Sequence, residues 1–368
     1  MQKILFWVGY TARPWDGNTD TGLGGTEIAV INIARELIRY GNKVTVAGQV
    51  KNSGIIDGVE WIDIDSFQNK YSRFPDYFDV GVGVNYMHFQ KYMIDANQKE
   101  CWKVFWQHNT DYYMWYKGKD LGNPFIWKAG IDCYVGPSDF LMLQVMDTAI
   151  EDGLKPKGVL IPNGINLDEF KFNTQRDPNK FIWSSAVDRG LDQLLDHWPR
   201  IKEVLPEATL DVYYPEYSNP HNQDNGWFNM DGVLDKLQAT KDLGVTDIGS
   251  VSQSDLHYAM QKATYWMYLT QYEETFCITA LEMMAAGVLP ICSDTAALGE
   301  LVQDGIIIKQ SDYETMYNTA IELLPRVDRG LIEKATTFAK NRAKTYTWFR
   351  AGQIWQNLLK TRRIYGIK

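Results

Sequence analysis

Two successive runs of strand–helix alternation constrain this chain more than any other feature. Residues 4–8 form an apolar run of strand length. Residues 27–40 place Ile28, Ile31, Ala34, Leu37 and Ile38 at helical spacing, Gly41-Asn42 ends that helix, and residues 43–47 form the next strand. A βαβ unit of this kind builds a parallel sheet. Further strands are expected at 59–62, 80–84, 104–107 and 133–136, with a helix near 140–151. Residues 159–161 then lead into Pro162-Asn163-Gly164, a strong turn signal. The alternation restarts with strands at 181–184, 208–214, 248–251 and 265–269 and helices at 190–204, 232–243 and 254–262. Residues 215–228 read as a polar loop, 306–308 as a last strand, and helices fill 313 onwards. At 368 residues the chain has room for two domains. The expected fold class is therefore α/β, with two Rossmann-like domains facing across a cleft.

The richest stretch runs from Tyr272 to Cys292 and reads as a loop, a helix of about three turns and a buried strand. Thr275 or Thr279 is expected to cap the helix, and Gly287 stands where a C′ glycine would end it. A helix that starts among small polar residues offers its free N–H groups to an anion such as phosphate. Glu274 precedes that start and Glu282 lies two turns inside. At 1.5 Å per residue they are roughly 12 Å apart, comparable to the span from sugar to ribose in a nucleotide sugar. An anion clamp with a hydroxyl-reading carboxylate at each end is one reading. An amphipathic helix with two solvated glutamates is the other, and spacing alone favours it.

Three further segments could carry chemistry. Gly22-Leu23-Gly24-Gly25-Thr26-Glu27 joins the first strand to the first helix, with glycines that allow close backbone approach and a helix start at Thr26 or Glu27; it matches neither GxGxxG nor a P-loop. Arg189 sits after a strand end, where open α/β sheets place ligands, and could neutralise a diphosphate or simply pair with Asp188 or Asp192. His108, one of only five histidines, also follows a strand end and could contact substrate or move a proton, although a lone His is more often structural. Asp63-Ile64-Asp65 matches a metal-holding DxD but is expected to alternate along a solvated strand edge. Of Glu273 and Glu274, one is expected to face solvent.

Composition excludes some classes. A net charge of -9 argues against wrapping nucleic acid or coating an anionic membrane. Cys101, Cys133, Cys277 and Cys292 follow no metal spacing and read as free thiols of a cytoplasmic protein. No run of 18 or more apolar residues suggests a transmembrane span; peripheral membrane contact stays open.

Taken together, these segments resemble the retaining GT-B glycosyltransferases of family 4. The resemblance rests on Gly24-Gly25-Thr26-Glu27, Ile161-Pro162-Asn163-Gly164-Ile165 with Phe170, Ser184-Ser185-x-x-x-Arg189-Gly190-Leu191, Gly249-x-Val251-Ser252 and Glu274-x7-Glu282. Its Ser-Ser-x-x-x-Arg-Gly-Leu and Glu-Thr-Phe-Cys-Ile-Thr forms look like a bacterial and viral subgroup. The resemblance implies an acceptor-binding domain at 1–165 (plus 347–368), whose last helix crosses back, and a donor-binding domain at 166–346. It implies no metal and no cofactor beyond a nucleotide-sugar co-substrate, UDP- or GDP-linked. Glu274 would read the transferred sugar and Glu282 the ribose. The N–H groups of Phe276, Cys277 and Ile278, beside Thr275, would meet the diphosphate or sugar. Arg189 would bind phosphate, His108 would lie near the sugar, and Val251 would border the base. Two departures stand out: Ser184 occupies the place of a second basic residue, and Cys277 replaces a common glycine.

The implied reaction is metal-independent hexosyl or pentosyl transfer with retention, by front-face attack, to a glycan or small-molecule hydroxyl. Other readings are transfer to hydroxylated DNA bases, which the net charge disfavours, a non-catalytic nucleotide-sugar or glycan binder, and a GT-B epimerase.

Overall fold

The structure, a computed structural model, describes residues 1–11, 13–19, 22–85, 89–110, 131–144, 157–171, 174–215 and 228–362. It divides into two compact units. One comprises Met1–Thr19, Gly25–Gly164 and Trp348–Lys368, the other Asp20–Gly24 and Ile165–Thr347.

The first unit contains β1 (Lys3–Gly9), β2 (Lys43–Gly48), β3 (Gly54–Ile56), β4 (Val59–Asp63), β5 (Val80–Val84), β6 (Trp102–Trp106), β7 (Cys133–Gly136) and β8 (Gly158–Leu160). They form one sheet in the order β3-β4-β2-β1-β5-β6-β7-β8. Neighbours are parallel except β3 and β4. Strand β3 escapes the sequence reading because it is a short, exposed edge, turned by Asp57 and Gly58 at positive φ. The central strands β1 and β5 are apolar on both faces because helices cover both sides. One of these, Gly25–Arg39, buries Val30, Ile33, Ala34 and Leu37 and begins two residues before the expected start at residue 27.

The C-terminal helix Trp348–Thr361 completes this unit. Its Trp355 ring lies 5.0 Å from Trp106 and 6.2 Å from Phe6, filling the core between helix and sheet. Asn42 donates to Gln356 Oε1 at 2.7 Å. Gly352 is required for the approach: a Cβ there would stand 2.6 Å from Cβ of Glu36.

The second unit contains β9 (Lys180–Ser184), β10 (Thr209–Tyr213), β11 (Val245–Gly249), β12 (Tyr265–Tyr268), β13 (Leu289–Ser293) and β14 (Ile306–Ile308), all parallel, in the order β11-β10-β9-β12-β13-β14. Strand β11 starts three residues earlier than expected, at Val245; as an edge strand it exposes Thr246, Asp247 and Ile248, so its pattern lacks apolar alternation.

Both sheets are doubly wound. Connections leave β1 and β5 in opposite directions along the first sheet, and β9 and β12 in opposite directions along the second. Such switch points open a crevice beyond the carboxyl ends of the two strands.

Asp63 does not lie in a solvated alternating strand edge with Asp65. It ends β4 and caps the helix Ile64–Tyr71 by accepting from Ser66 N at 2.8 Å, which places Asp65 in the first helical turn. The expected helix at 140–151 falls largely outside the described residues, although 139–144 are helical; the loop at 215–228 lies outside them except at its ends. All four cysteines are free. Among the described residues no helix is long and apolar enough to cross a membrane.

Candidate functional site

The site residues of the second unit gather at its switch point. After β9 the chain turns through a 3-10 segment, Val187–Arg189, and enters the helix Leu191–Val204 at Gly190, whose φ of 113° favours glycine. After β12 it runs through residues 269–277 into the helix Ile278–Ala286. The two loops meet. Tyr268, the last residue of β12, donates from Oη to Glu274 Oε1 at 2.6 Å, and the same Oη lies 3.3 Å from Ser185 Oγ. Arg189 ion-pairs with Asp188 at 2.8 Å, and its guanidinium carbon stands 3.3 Å from the Tyr272 ring centroid. Ser184 is buried at the end of β9.

These contacts set charge. Burial raises the Glu274 carboxyl above its ordinary 4.5, while the Tyr268 hydrogen bond and the Arg189 charge hold part of that rise back. Burial opposes the charged form of Arg189, but Asp188, Tyr272 and Glu274 outweigh it and secure the cation. Burial also raises Asp188, against the pull of Arg189. Arg189 thus pairs with Asp188 as one sequence reading allowed, yet its side chain is only 24% exposed, so the pair is not a solvated surface bridge.

The start of the helix Ile278–Ala286 corrects one expectation. Neither Thr275 nor Thr279 caps it. Cys277 holds the N-cap position at φ 67°, and its side chain makes no capping hydrogen bond. A left-handed turn after Phe276 redirects the chain, which explains why glycine would suit position 277. The loop itself is pinned: Thr270 N donates to Ser293 Oγ at 3.1 Å, Thr295 Oγ1 to Thr270 O at 2.8 Å, and Ala297 N to Glu274 O at 3.1 Å. Gly287 ends the helix at φ 77°, as expected.

Glu282 is not a solvated glutamate. It is 7% exposed, and its Oε1 lies 3.3 Å from His257 Nε2. Glu273 is exposed and Glu274 half-buried. Val251 is half-buried in the segment after β11, just before Ser252 caps the helix Gln253–Lys262 by accepting from Asp255 N at 3.1 Å. The structure therefore brings together Ser185, Arg189 and Glu274, and adds Tyr268, Tyr272 and His257. Sequence reasoning missed these three because nothing in spacing links a residue of a buried strand, a loop aromatic or a neighbouring helix to a particular carboxylate.

Gly24 ends the short segment Asp20–Gly24 that groups with the second unit, and Gly25 begins the first helix of the first unit. His108 follows β6 and packs 4.5 Å from the Trp106 ring. Burial pushes its imidazole down to about 3, which keeps it neutral. Asn85, at positive φ just past β5, ties this region together: its Oδ1 accepts from His108 N at 2.6 Å, and its Nδ2 donates to Thr26 Oγ1 at 3.4 Å. Among the described residues no three His, Cys, Asp or Glu side chains converge as a metal site.

Residues 165–344 match the family profile described as Glycosyl transferases group 1. Among curated proteins, the lipopolysaccharide 1,2-N-acetylglucosaminetransferase of Salmonella typhimurium is 25% identical over 240 residues, 59% of this chain and 60% of the relative. The GDP-mannose:cellobiosyl-diphosphopolyprenol alpha-mannosyltransferase of Xanthomonas oryzae is 26% identical over 163 residues, 42% of this chain and 40% of the relative. The matched regions thus span 60% or less of those relatives' length. Of solved structures, sucrose-phosphate synthase from Thermosynechococcus elongatus superposes with a TM-score of 0.73 at 14% identity, covering 98% of this chain and 99% of that one. Anabaena HepE, solved in complex with UDP and glucose, gives 0.68 at 15% identity, covering 98% and 100%. These likenesses extend the fold over nearly the whole chain and make it GT-B. Residues 165–344 accordingly form a domain of the glycosyl transferases group 1 family, on an α/β frame of two Rossmann-like sheets.

Proposed function

We propose that the chain is a retaining glycosyltransferase that moves a hexosyl or pentosyl group from a UDP- or GDP-sugar to a hydroxyl of a glycan or small molecule, without a metal. The observation that carries this reading is the convergence of Arg189, Glu274 and the start of the helix Ile278–Ala286 at one switch point. A cation, a hydroxyl-reading carboxylate and a helix N-terminus are what a nucleotide sugar asks for.

In this reading the diphosphate meets Arg189 and the N–H groups of Phe276, Cys277 and Ile278. Tyr268 occupies Glu274 Oε1, so Oε2 is the oxygen offered to a sugar hydroxyl. Glu282 holds the ribose, Val251 borders the base, and Ser184 and Ser185 line the phosphate side. The bond from the anomeric carbon to the leaving phosphate oxygen breaks while the acceptor oxygen bonds to the same face. The acceptor's proton passes to the departing phosphate, and nucleoside diphosphate leaves. Charge grows on that leaving group, which is where Arg189 and the helix dipole act. His108, held neutral, serves near the sugar as a hydrogen-bonding group rather than a cation. The first unit supplies the acceptor side, and Gly24 and Gly25 give the donor a close backbone approach.

With a donor that turns over, Glu274→Ala is expected to lower kcat roughly ten- to a hundredfold, the size of one charge-assisted hydrogen bond made in the transition state. Affinity for the nucleoside diphosphate should change little. Unchanged turnover would contradict the assignment. The anomeric configuration of the product, read by NMR coupling, tests retention.

A further inference from the structure

The carboxylate midway along the donor helix is held by a residue that the glycosyl-transfer reading does not use. His257, on the helix Gln253–Lys262, is 3% exposed and stands between two carboxylates from two other elements. Its Nε2 lies 3.3 Å from Glu282 Oε1, on the helix Ile278–Ala286. Its Nδ1 faces Glu169 Oε2 at 3.2 Å, an ion-pair contact without hydrogen-bond alignment, from the 3-10 segment Leu167–Phe170. The Phe170 ring packs 4.6 Å from the imidazole, and Gln261 Nε2 donates to the His257 main-chain carbonyl at 3.1 Å.

A neutral imidazole carries one N–H and can donate to only one of two flanking carboxylates. With the proton on Nδ1, the lone pair of Nε2 would point at Glu282. A protonated ring donates from Nε2 to Glu282, pairs its charge with Glu169 across Nδ1, and removes one negative charge from a pocket that has to accept a dianionic diphosphate. We propose that His257 is the positioning residue of Glu282: protonated, it bridges Glu169 and Glu282 and fixes the ribose-side carboxylate, and the grip on a nucleotide sugar weakens when it gives up that proton. This rests on the reading of the second unit as the donor site. The charged groups facing the ring from the elements packed on it are Glu282 and Glu169. Burial opposes the imidazolium, but the Glu282 hydrogen bond and the charges of Glu282 and Glu169 outweigh it, so the ring titrates above 6.5.

The test couples two readouts on the full chain. Imidazole chemical shifts give the His257 midpoint, and calorimetry gives the Kd of UDP-glucose and GDP-mannose, whose diphosphates stay dianionic, from about pH 5.5 to about pH 8.5. For whichever donor binds, Kd is expected to rise about tenfold with pH, the size of one charge-assisted hydrogen bond, with its midpoint at that of His257. Glu169→Gln, at a half-exposed position that leaves the core intact, should lower both midpoints together. His257→Gln, which keeps a neutral donor, should give a flat profile at the weaker plateau. A Kd that does not follow the His257 titration, or midpoints unmoved in Glu169→Gln, overturns the proposal. Absence of donor binding at every pH overturns the donor-site reading as well, and is distinguished from the first failure because the His257 shifts still titrate.

Discussion

Cys277 carries the turn into the donor helix at φ 67°, where an L side chain crowds its own backbone. Glycine at this position should be tolerated, with a stability change within about 1 kcal/mol, because relief of strain and the added unfolded-state entropy oppose each other. Cys277→Val, branched at Cβ, should instead lower the melting temperature and weaken nucleotide binding together. Tyr268 offers a second check at this scale. Removing its hydroxyl in Tyr268→Phe takes away a hydrogen bond that holds the Glu274 pKa down, so that pKa rises further. A carboxylate that must be ionised to read a sugar then fails at a higher pH, and the acid limb of the kcat profile should move up. Two of the buried histidines, His108 and His257, act on stability with opposite signs. His108 is depressed to about 3 from 6.5, so the stability of its neutral burial is present above pH 6.5 and is lost as pH falls towards about 3. His257 is raised, so its contribution is complete below pH 6.5 and is lost as pH rises through its folded value. Denaturant melts of His108→Asn between those pH values should show a shallower acid loss than the parent. Arg189, Glu274 and Glu282 were legible in the sequence because they sit in spaced motifs beside glycines and strand ends. Their partners were not: Tyr268 reads as one more aromatic in the apolar run Tyr265–Tyr268, and His257 as a lone histidine on a helix.

At the scale of elements, the order of strands is what gives the site its place. Alternation of apolar runs and helical spacing predicts both parallel sheets, and it also locates β9 and β12, whose carboxyl ends carry Arg189 and Glu274. Where pattern and structure part, the cause is local. The edge strands β3 and β11 lack alternation because much of each faces water, and the helix at Gly25 starts before its apolar face does. The helix Trp348–Thr361 is amphipathic in sequence, but its destination depends on contacts some 250 residues away, such as Trp106 with Trp355. Trp355 is fully buried, so Trp355→Ala should cost about 3–5 kcal/mol, read as a loss of first-unit stability in denaturant melts. Gly352→Leu should be comparably damaging, since even a Cβ there lies 2.6 Å from Glu36 Cβ.

Across the whole molecule, a chain of net charge -9 is proposed to recruit an anionic donor, so attraction has to be local. Arg189, secured by Asp188 and stacked on Tyr272, and the start of the helix Ile278–Ala286 provide it at the switch point that carries Glu274. The central claim, transfer of a sugar from a nucleotide to a hydroxyl, is tested most directly by measuring nucleoside diphosphate release from a panel of UDP-, GDP- and ADP-sugars, with and without candidate acceptors. The account predicts release from a UDP- or GDP-sugar that rises when an acceptor is supplied and falls in Glu274→Ala. Conversion of a donor that is indifferent to every acceptor, or nucleotide binding with no release from any donor, would contradict it.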